Sequence, residues 1–150
     1  ISDRAAIDAI LRAAPVLRLA MCQDGQPYVV PLNFGYDGER IYFHSAREGR
    51  KLAMLAANPR VCFEATSRFE LKRHAEPCQW GARYQSVIGF GRAEVLSDPT
   101  EKERGLRLVM EHYAGPGDYV FPAAQLARVA VVAITIEELS GKEAPAPGKA

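Results

Sequence analysis

YVVPLNFGYDGERIYFHSAREGRK, residues Tyr28 to Lys51, is the stretch that decides the fold. It opens on a β-prone run and breaks at Asp37-Gly38, and a second Asp-Gly pair, Asp24-Gly25, stands just upstream. Glycine tolerates the positive φ that tight hairpin turns need, so two such pairs between β-rich runs predict an antiparallel meander. Its strands are Val16 to Cys22, Tyr28 to Tyr36 and Arg40 to Ser45. Polar residues end the third strand, and Arg47 to Ala57 reads as a short helix with Leu52 and Leu55 in its apolar face and Asn58-Pro59 as its stop.

Outward from this stretch the same rules apply. Ser2 to Ala14 places Ile7, Ile10, Leu11 and Ala14 on one helical face after a capping Ser-Asp start, and Pro15 ends it. Val61 to Glu70 and Tyr84 to Leu96 read as strands, the second interrupted by Gly89 and Gly91, which mark a bulge, a barrel corner or a close backbone approach. Asp98-Pro99-Thr100-Glu101 is a capped helix start, and Leu106, Val109, Met110 and Tyr113 form the expected buried face. A short helix near Ala123 to Ala127 and a last strand, Val129 to Ile136, follow. The expectation is a mainly β protein with peripheral helices, a small six-stranded antiparallel barrel. Residues 1–143 are read as one domain and 144–150 as a flexible Ala-Pro-rich tail.

Composition narrows the function classes. The 150 residues hold 19 Lys plus Arg against 18 Asp plus Glu, so no strong overall field draws in nucleic acid or an anionic membrane. The longest apolar runs are too short to cross a bilayer, and the expected compartment is the cytoplasm. Cys22, Cys62 and Cys78 are an odd set without a CxxC pair, which argues against a disulfide framework or a zinc ribbon. His74, Cys78 and a third ligand could form a metal site, but HxxxC spacing in a loop is a weak signal, so no metal site is expected.

Chemistry concentrates at Phe43 to Lys51. A helix N-terminus carries positive potential, and here Arg47, Arg50 and Lys51 add to it, with Ser45 as a hydroxyl donor and Gly49 allowing close backbone approach. The pattern fits a phosphate cradle and equally a solvated basic helix face. His44 ends a strand, where a cofactor contact and an acid–base role are both open. Trp80, Phe69 and Tyr84 either line a substrate pocket or pack under a long loop.

Taken whole, residues 28–65, with ARYQSVIGFGRAEVL (82–96) and ITIEELSGKE (134–143), resemble the pyridoxamine-phosphate-oxidase-like split barrels, in particular their nitroimidazole-resistance branch. The resemblance implies a Greek-key split barrel that binds flavin mononucleotide (FMN) at the interface of a homodimer. Pro31, Leu32 and Asn33 would run along the isoalloxazine ring, His44, Ser45 and Ala46 would lie near the phosphate end, and Gly49, Arg50 and Lys51 would grip the phosphate. Gln85, Ser86 and Val87 would face the flavin from the other strand, and Lys142 would approach it from the C-terminal segment. His44 is the implied catalytic residue. The implied activity is FMN-dependent transfer of electrons to a small planar, possibly nitroaromatic acceptor. A haem-binding or haem-degrading split barrel, with His74 or His112 as axial ligand, and a non-catalytic flavin-binding protein are the alternatives. Where the true oxidases carry tryptophan before a Gly-basic pair, this chain has Leu139, so oxidation of pyridoxamine phosphate itself is not implied.

Overall fold

The computed structural model describes residues 1–144. Its elements in chain order are α1 (Arg4–Ala13), β1 (Leu17–Gln23), β2 (Gln26–Leu32), β3 (Gly35–Tyr36), β4 (Arg40–Ala46), α2 (Arg50–Ala57), β5 (Arg60–Lys72), a 3-10 turn (Pro77–Gln79), β6 (Gly81–Val95), α3 (Pro99–Ala114), α4 (Ala123–Leu126) and β7 (Val129–Ala144). Asp24 and Gly25 both have positive φ, 50° and 77°, the primed turn expected of an Asp-Gly hairpin. Asp3 caps α1 by accepting from Ala6 N, and Asp98 caps α3 by accepting from Glu101 N.

All strands pair antiparallel in one sheet of order β2-β1-β5-β6-β7-β4-β3. Its two edge strands, β2 and β3, are separated in sequence only by Asn33 and Phe34. Two residues span roughly 10 Å between flanking Cα atoms, so the sheet must curl until its edges meet. The result is a barrel split at that corner. Strand alternation turns Leu17, Leu19, Ile41, Phe43, Phe63, Ala65, Val87, Val132 and Ile134 inward, where none is more than 1% exposed. Ile7, Ile10 and Leu11 of α1 join this core.

α3 lies on the outside of the barrel, against β3, β4 and β7. Two glycines let it sit there. A Cβ on Gly35 would stand 2.5 Å from the Leu108 carbonyl carbon, and one on Gly105 would stand 2.9 Å from Val131 and 3.0 Å from the Tyr42 ring. Gly91 acts as read from the sequence, with the Thr135 backbone carbonyl where its Cβ would stand and a register shift between Phe90 and Gly91, whereas Gly89 makes room for the Phe63 ring.

The structure corrects several expectations. Among the described residues there are seven strands, not six, because the run to Tyr36 breaks at the Asn33-Phe34 corner into β2 and the two-residue β3. α2 starts at Arg50, not Arg47, after a bend in which Gly49 has φ 140°. β7 runs on past Ile136 to Ala144, since its second half pairs with β6. Of the expected α3 face, Val109 is buried and Leu106 half-buried, whereas Met110 and Tyr113 are 39% and 45% exposed; the other buried position of the helix is Gly105. The expected tail, 144–150, lies outside the described residues apart from Ala144. Among the described residues, no helix is long and apolar enough to cross a membrane.

Candidate functional site

The first group of site residues forms a basic corner where β4 leads into α2. Gly49 is the N-cap of α2 and supplies no side-chain hydrogen bond, so the first-turn N–H groups keep their donors for another acceptor. A Cβ on Gly49 would meet nothing within 4 Å, so the ground in front of the helix is open. The Arg50 guanidinium lies 4.2 Å from the centre of the Tyr28 ring, and Lys51 Nζ lies 5.5 Å from that of Phe43. Burial pushes the Lys51 ammonium below the ordinary lysine pKa. Among the described residues Arg47, Arg50 and Lys51 make no ion pair with a carboxylate. Positive charge is thus gathered here and left uncompensated, at a place where Ser45 is only half-buried.

His44 alternates with Phe43 and turns outward, on the side of the sheet that carries α3. It opens on a cavity of about 260 Å³ whose walls are Leu106, Val109, Met110, Phe121, Leu126 and Val129, with Gln125 as the other polar group. His44 itself is exposed, a polar ring at the mouth of this apolar space.

The second group is set by register. Leu32, Leu17, Ala65, Val87 and Gly141 pair in one line across five strands. Leu17, Ala65 and Val87 of this line are fully buried, and Leu32 packs against the same core. One step to the same side of that line stand Asn33, Thr66, Ser86 and Lys142, which therefore face outward. Thr66 pairs with Ser86, and Ser86 with Lys142. Lys142 Nζ is 6.0 Å from the Tyr84 ring centre, and Gln85 Nε2 donates to Glu143 Oε2 at 3.2 Å. Pro31 is exposed on the outer face.

Ser45, Ala46, Gly49, Arg50 and Lys51 therefore share one corner, whereas Asn33, Ser86 and Lys142 share an outward row. Within one chain the two groups are not joined: no hydrogen bond or ion pair links them among the described residues. His44 pairs with Val131 and Ser86 with Lys142, eleven residues further along β7, a strand contour of about 36 Å. The Val87 side chain points into the core and offers nothing to a ligand.

Each of the two histidines considered as haem ligands makes one polar contact through one ring nitrogen. His74 Nδ1 accepts from Glu76 N. His112 is half-buried, with Nε2 2.7 Å from the Ala14 carbonyl oxygen and its ring 4.4 Å from that of Phe34. Sequence reading missed Tyr28 beneath Arg50 and Phe121 in the His44 cavity. Only the fold brings Phe121, 77 residues downstream, to that histidine, and Tyr28, half-buried against the core, to Arg50.

The sequence profile described as pyridoxamine 5'-phosphate oxidase matches residues 3–143. The chain belongs to that family. Among solved members of similar shape, a candidate 5-nitroimidazole antibiotic resistance protein from Bacteroides thetaiotaomicron is 30% identical, with a TM-score of 0.83 over 94% of this chain and 84% of the other. A protein from Mesorhizobium loti described as FAD-binding is 31% identical, with a TM-score of 0.70 over 95% and 96% of the two chains. An uncharacterised protein of Rhizobium meliloti is 30% identical over 96 residues, which span 64% of this chain and just over half, 56%, of that relative. As a member of the pyridoxamine 5'-phosphate oxidase family, the chain has the split barrel that its nitroimidazole-resistance relative shares.

Proposed function

We propose that this protein binds FMN and acts as an oxidoreductase that passes electrons from a reduced nicotinamide or similar donor to a small planar acceptor, a nitroaromatic being one case. The observation that carries the reading is the uncompensated basic corner: an uncapped helix start, an open glycine, a hydroxyl and two unpaired cations fit a phosphate monoester. FMN when bound supplies the redox chemistry, and the protein supplies position and electrostatics. Arg50 and Lys51 hold the phosphate with the α2 N–H groups, and Ser45 donates its hydroxyl. Pro31, Leu32 and Asn33 present backbone along the ring edge. A ring nitrogen of His44 would hold a proton for a reduced acceptor seated against the apolar wall of its cavity.

The reading needs a second copy of the chain. Val29, Phe69, Leu71, Ile88 and Phe90 are 45% to 67% exposed, and Ile88 and Phe90 lie beside the Ser86–Lys142 row. In the proposed homodimer this face packs against its counterpart, so that Gln85, Ser86 and Lys142 of one chain approach FMN held by Lys51 of the other. Lys142 then favours the anionic reduced ring. We place the protein in the cytoplasm, which would keep its three free cysteines reduced.

The test is a titration of purified protein with FMN and with riboflavin, which lacks the phosphate. Charge-assisted hydrogen bonds contribute roughly 1.5 to 3 kcal/mol each. Replacing both Arg50 and Lys51 by Ala should therefore weaken FMN by about two to four powers of ten and leave riboflavin nearly unchanged. Equal losses for both ligands would remove the phosphate assignment.

A further inference from the structure

One turn of α3 ties together the two places where the barrel backbone leaves its sheet. Ala14-Pro15 leads into β1 and Asn33-Phe34 separates β2 from β3, and the two corners adjoin because Leu17 pairs with Leu32. Chain that leaves a sheet carries polar backbone groups in need of partners, and a buried one left unmade is costly. Phe34 is fully buried. Its N–H donates to Tyr113 Oη at 3.2 Å, and the same hydroxyl donates to the Pro15 carbonyl at 3.0 Å. Burial pushes the Tyr113 phenol up against the opposing pull of the Phe34 N–H, so it keeps the proton it donates. His112 Nε2 lies 2.7 Å from the Ala14 carbonyl, an acceptor only, which places the ring proton on Nε2. Its ring is 4.4 Å from the Phe34 ring and 4.7 Å from that of Tyr113.

Asn33 stands between these anchors and the outward row. It is exposed, its side chain makes no hydrogen bond among the described residues, and it follows directly on Leu32, the last residue of β2. Only the pairing of Leu32 on one side and the clamped Phe34 on the other fix its backbone.

We infer that Tyr113 and His112 are positioning residues: by clamping Phe34 they hold the Leu32-Asn33 backbone in register for the ring edge of the flavin, at the end of the site opposite the phosphate corner. This rests on the FMN reading above. The Tyr113 hydroxyl bridges two backbone corners, whereas one bond would suffice to satisfy either alone, and the segment it fixes is the one with no other use for its rigidity.

Tyr113→Phe keeps the ring and removes both hydroxyl bonds. The expected result is a folded protein in which the dissociation constants of FMN and riboflavin rise by the same factor, about tenfold, because both ligands share the ring. The reduction potential of the bound flavin should move with them. This signature is the reverse of the one expected for Arg50 and Lys51, which spares riboflavin. Wild-type affinities for both ligands with an unmoved potential, or a loss confined to FMN, would overturn the positioning role. Should Tyr113→Phe not fold, His112→Gln retains a donor for Ala14 and loses the ring on Phe34, and the same paired loss at smaller amplitude is expected. Wild-type protein that takes up neither flavin would sink the FMN reading, and this role with it, before any variant is compared.

Discussion

The outer surface of this barrel has two apolar faces, and only one has a cover. β4 and the first half of β7 turn Tyr42, Val131 and Ala133 outward, and α3 buries each to 1% exposure or less. β2 and β6 turn Val29, Ile88 and Phe90 outward by the same alternation, and these stay 61%, 45% and 47% exposed. The β5–β6 ribbon prolongs the bare face: Phe69 pairs with Tyr84, and Leu71 with Ala82, on its apolar side. Its other side carries Arg68, Glu70 and Arg83, linked by ion pairs of 2.8 Å and 3.9 Å. Exposed apolar patches of this kind mark association surfaces, and two-stranded ribbons are marginal alone in water. The chain thus supplies its own helix for one face and leaves bare the other, which carries Ser86 and Lys142 and which the proposed homodimer would cover.

Breaking the covered face should have the largest effect. Gly35→Ala places a methyl 2.5 to 2.7 Å from the backbone of Leu108 and Val109, atoms that cannot swing aside as a side chain would. α3 must lift, and Tyr42 and Val131 lose their cover. A loss of about 4 kcal/mol or more in urea unfolding is expected, beyond the usual range for a single methyl. A midpoint within error of wild type would show that α3 is not seated as described.

On the bare face the effect should fall on association. Phe90→Glu adds a charge to a position open to water in the single chain, so the barrel itself should tolerate it. In the proposed dimer the same charge is buried without a partner, which costs about 3 kcal/mol or more, a hundredfold or greater rise in the dimer dissociation constant. Light scattering across a dilution series should give the mass of two chains for wild type and of one for the variant, with FMN uptake falling in step. A monomeric variant that keeps wild-type FMN affinity would mean that each chain holds its flavin alone.

This contrast also separates what the sequence could reveal from what it could not. The Asp-Gly turns, the two capping aspartates and the inward alternation are local, and each was readable within a few residues. The Leu17–Ala65 and Phe43–Val132 pairings that build the barrel are not local, so the break at Asn33-Phe34 and the extra short strand passed unseen. The same limit applies to α3. A 3.6-residue period put Met110 and Tyr113 in its buried face, but the glycines bring the helix down on Gly105 and Val109 and leave those two at the rim. At the candidate site the basic corner was legible because glycine, serine and three cations lie within seven residues. The clamp at His112 and Tyr113 was not, since its partners are 79 and 98 residues away.

The smallest expected effect sharpens the corner itself. Burial lowers the pKa of Lys51 in the free protein below the ordinary value of about 10.4. A phosphate beside the ammonium favours its charged form and raises that pKa on binding. A group whose pKa is raised by its partner contributes fully below its unpartnered pKa, and the contribution is lost as pH climbs through the partnered one. The preference for FMN over riboflavin should therefore be flat from about pH 7 into the alkaline range, then fall by about tenfold, the value of one charge-assisted bond. On the acid side the preference should also drop as the phosphate takes up its second proton near about pH 6. Taking the ratio of the two ligands cancels titration of the ring they share. Lys51→Arg carries a guanidinium that does not titrate in this range, so it should abolish the alkaline fall and keep the acid one. Arg50 can have no part in either limb, because its charge is constant throughout. An alkaline fall that survives in Lys51→Arg would assign it to another group, and the phosphate contact would then rest on Arg50 and the α2 N–H groups alone.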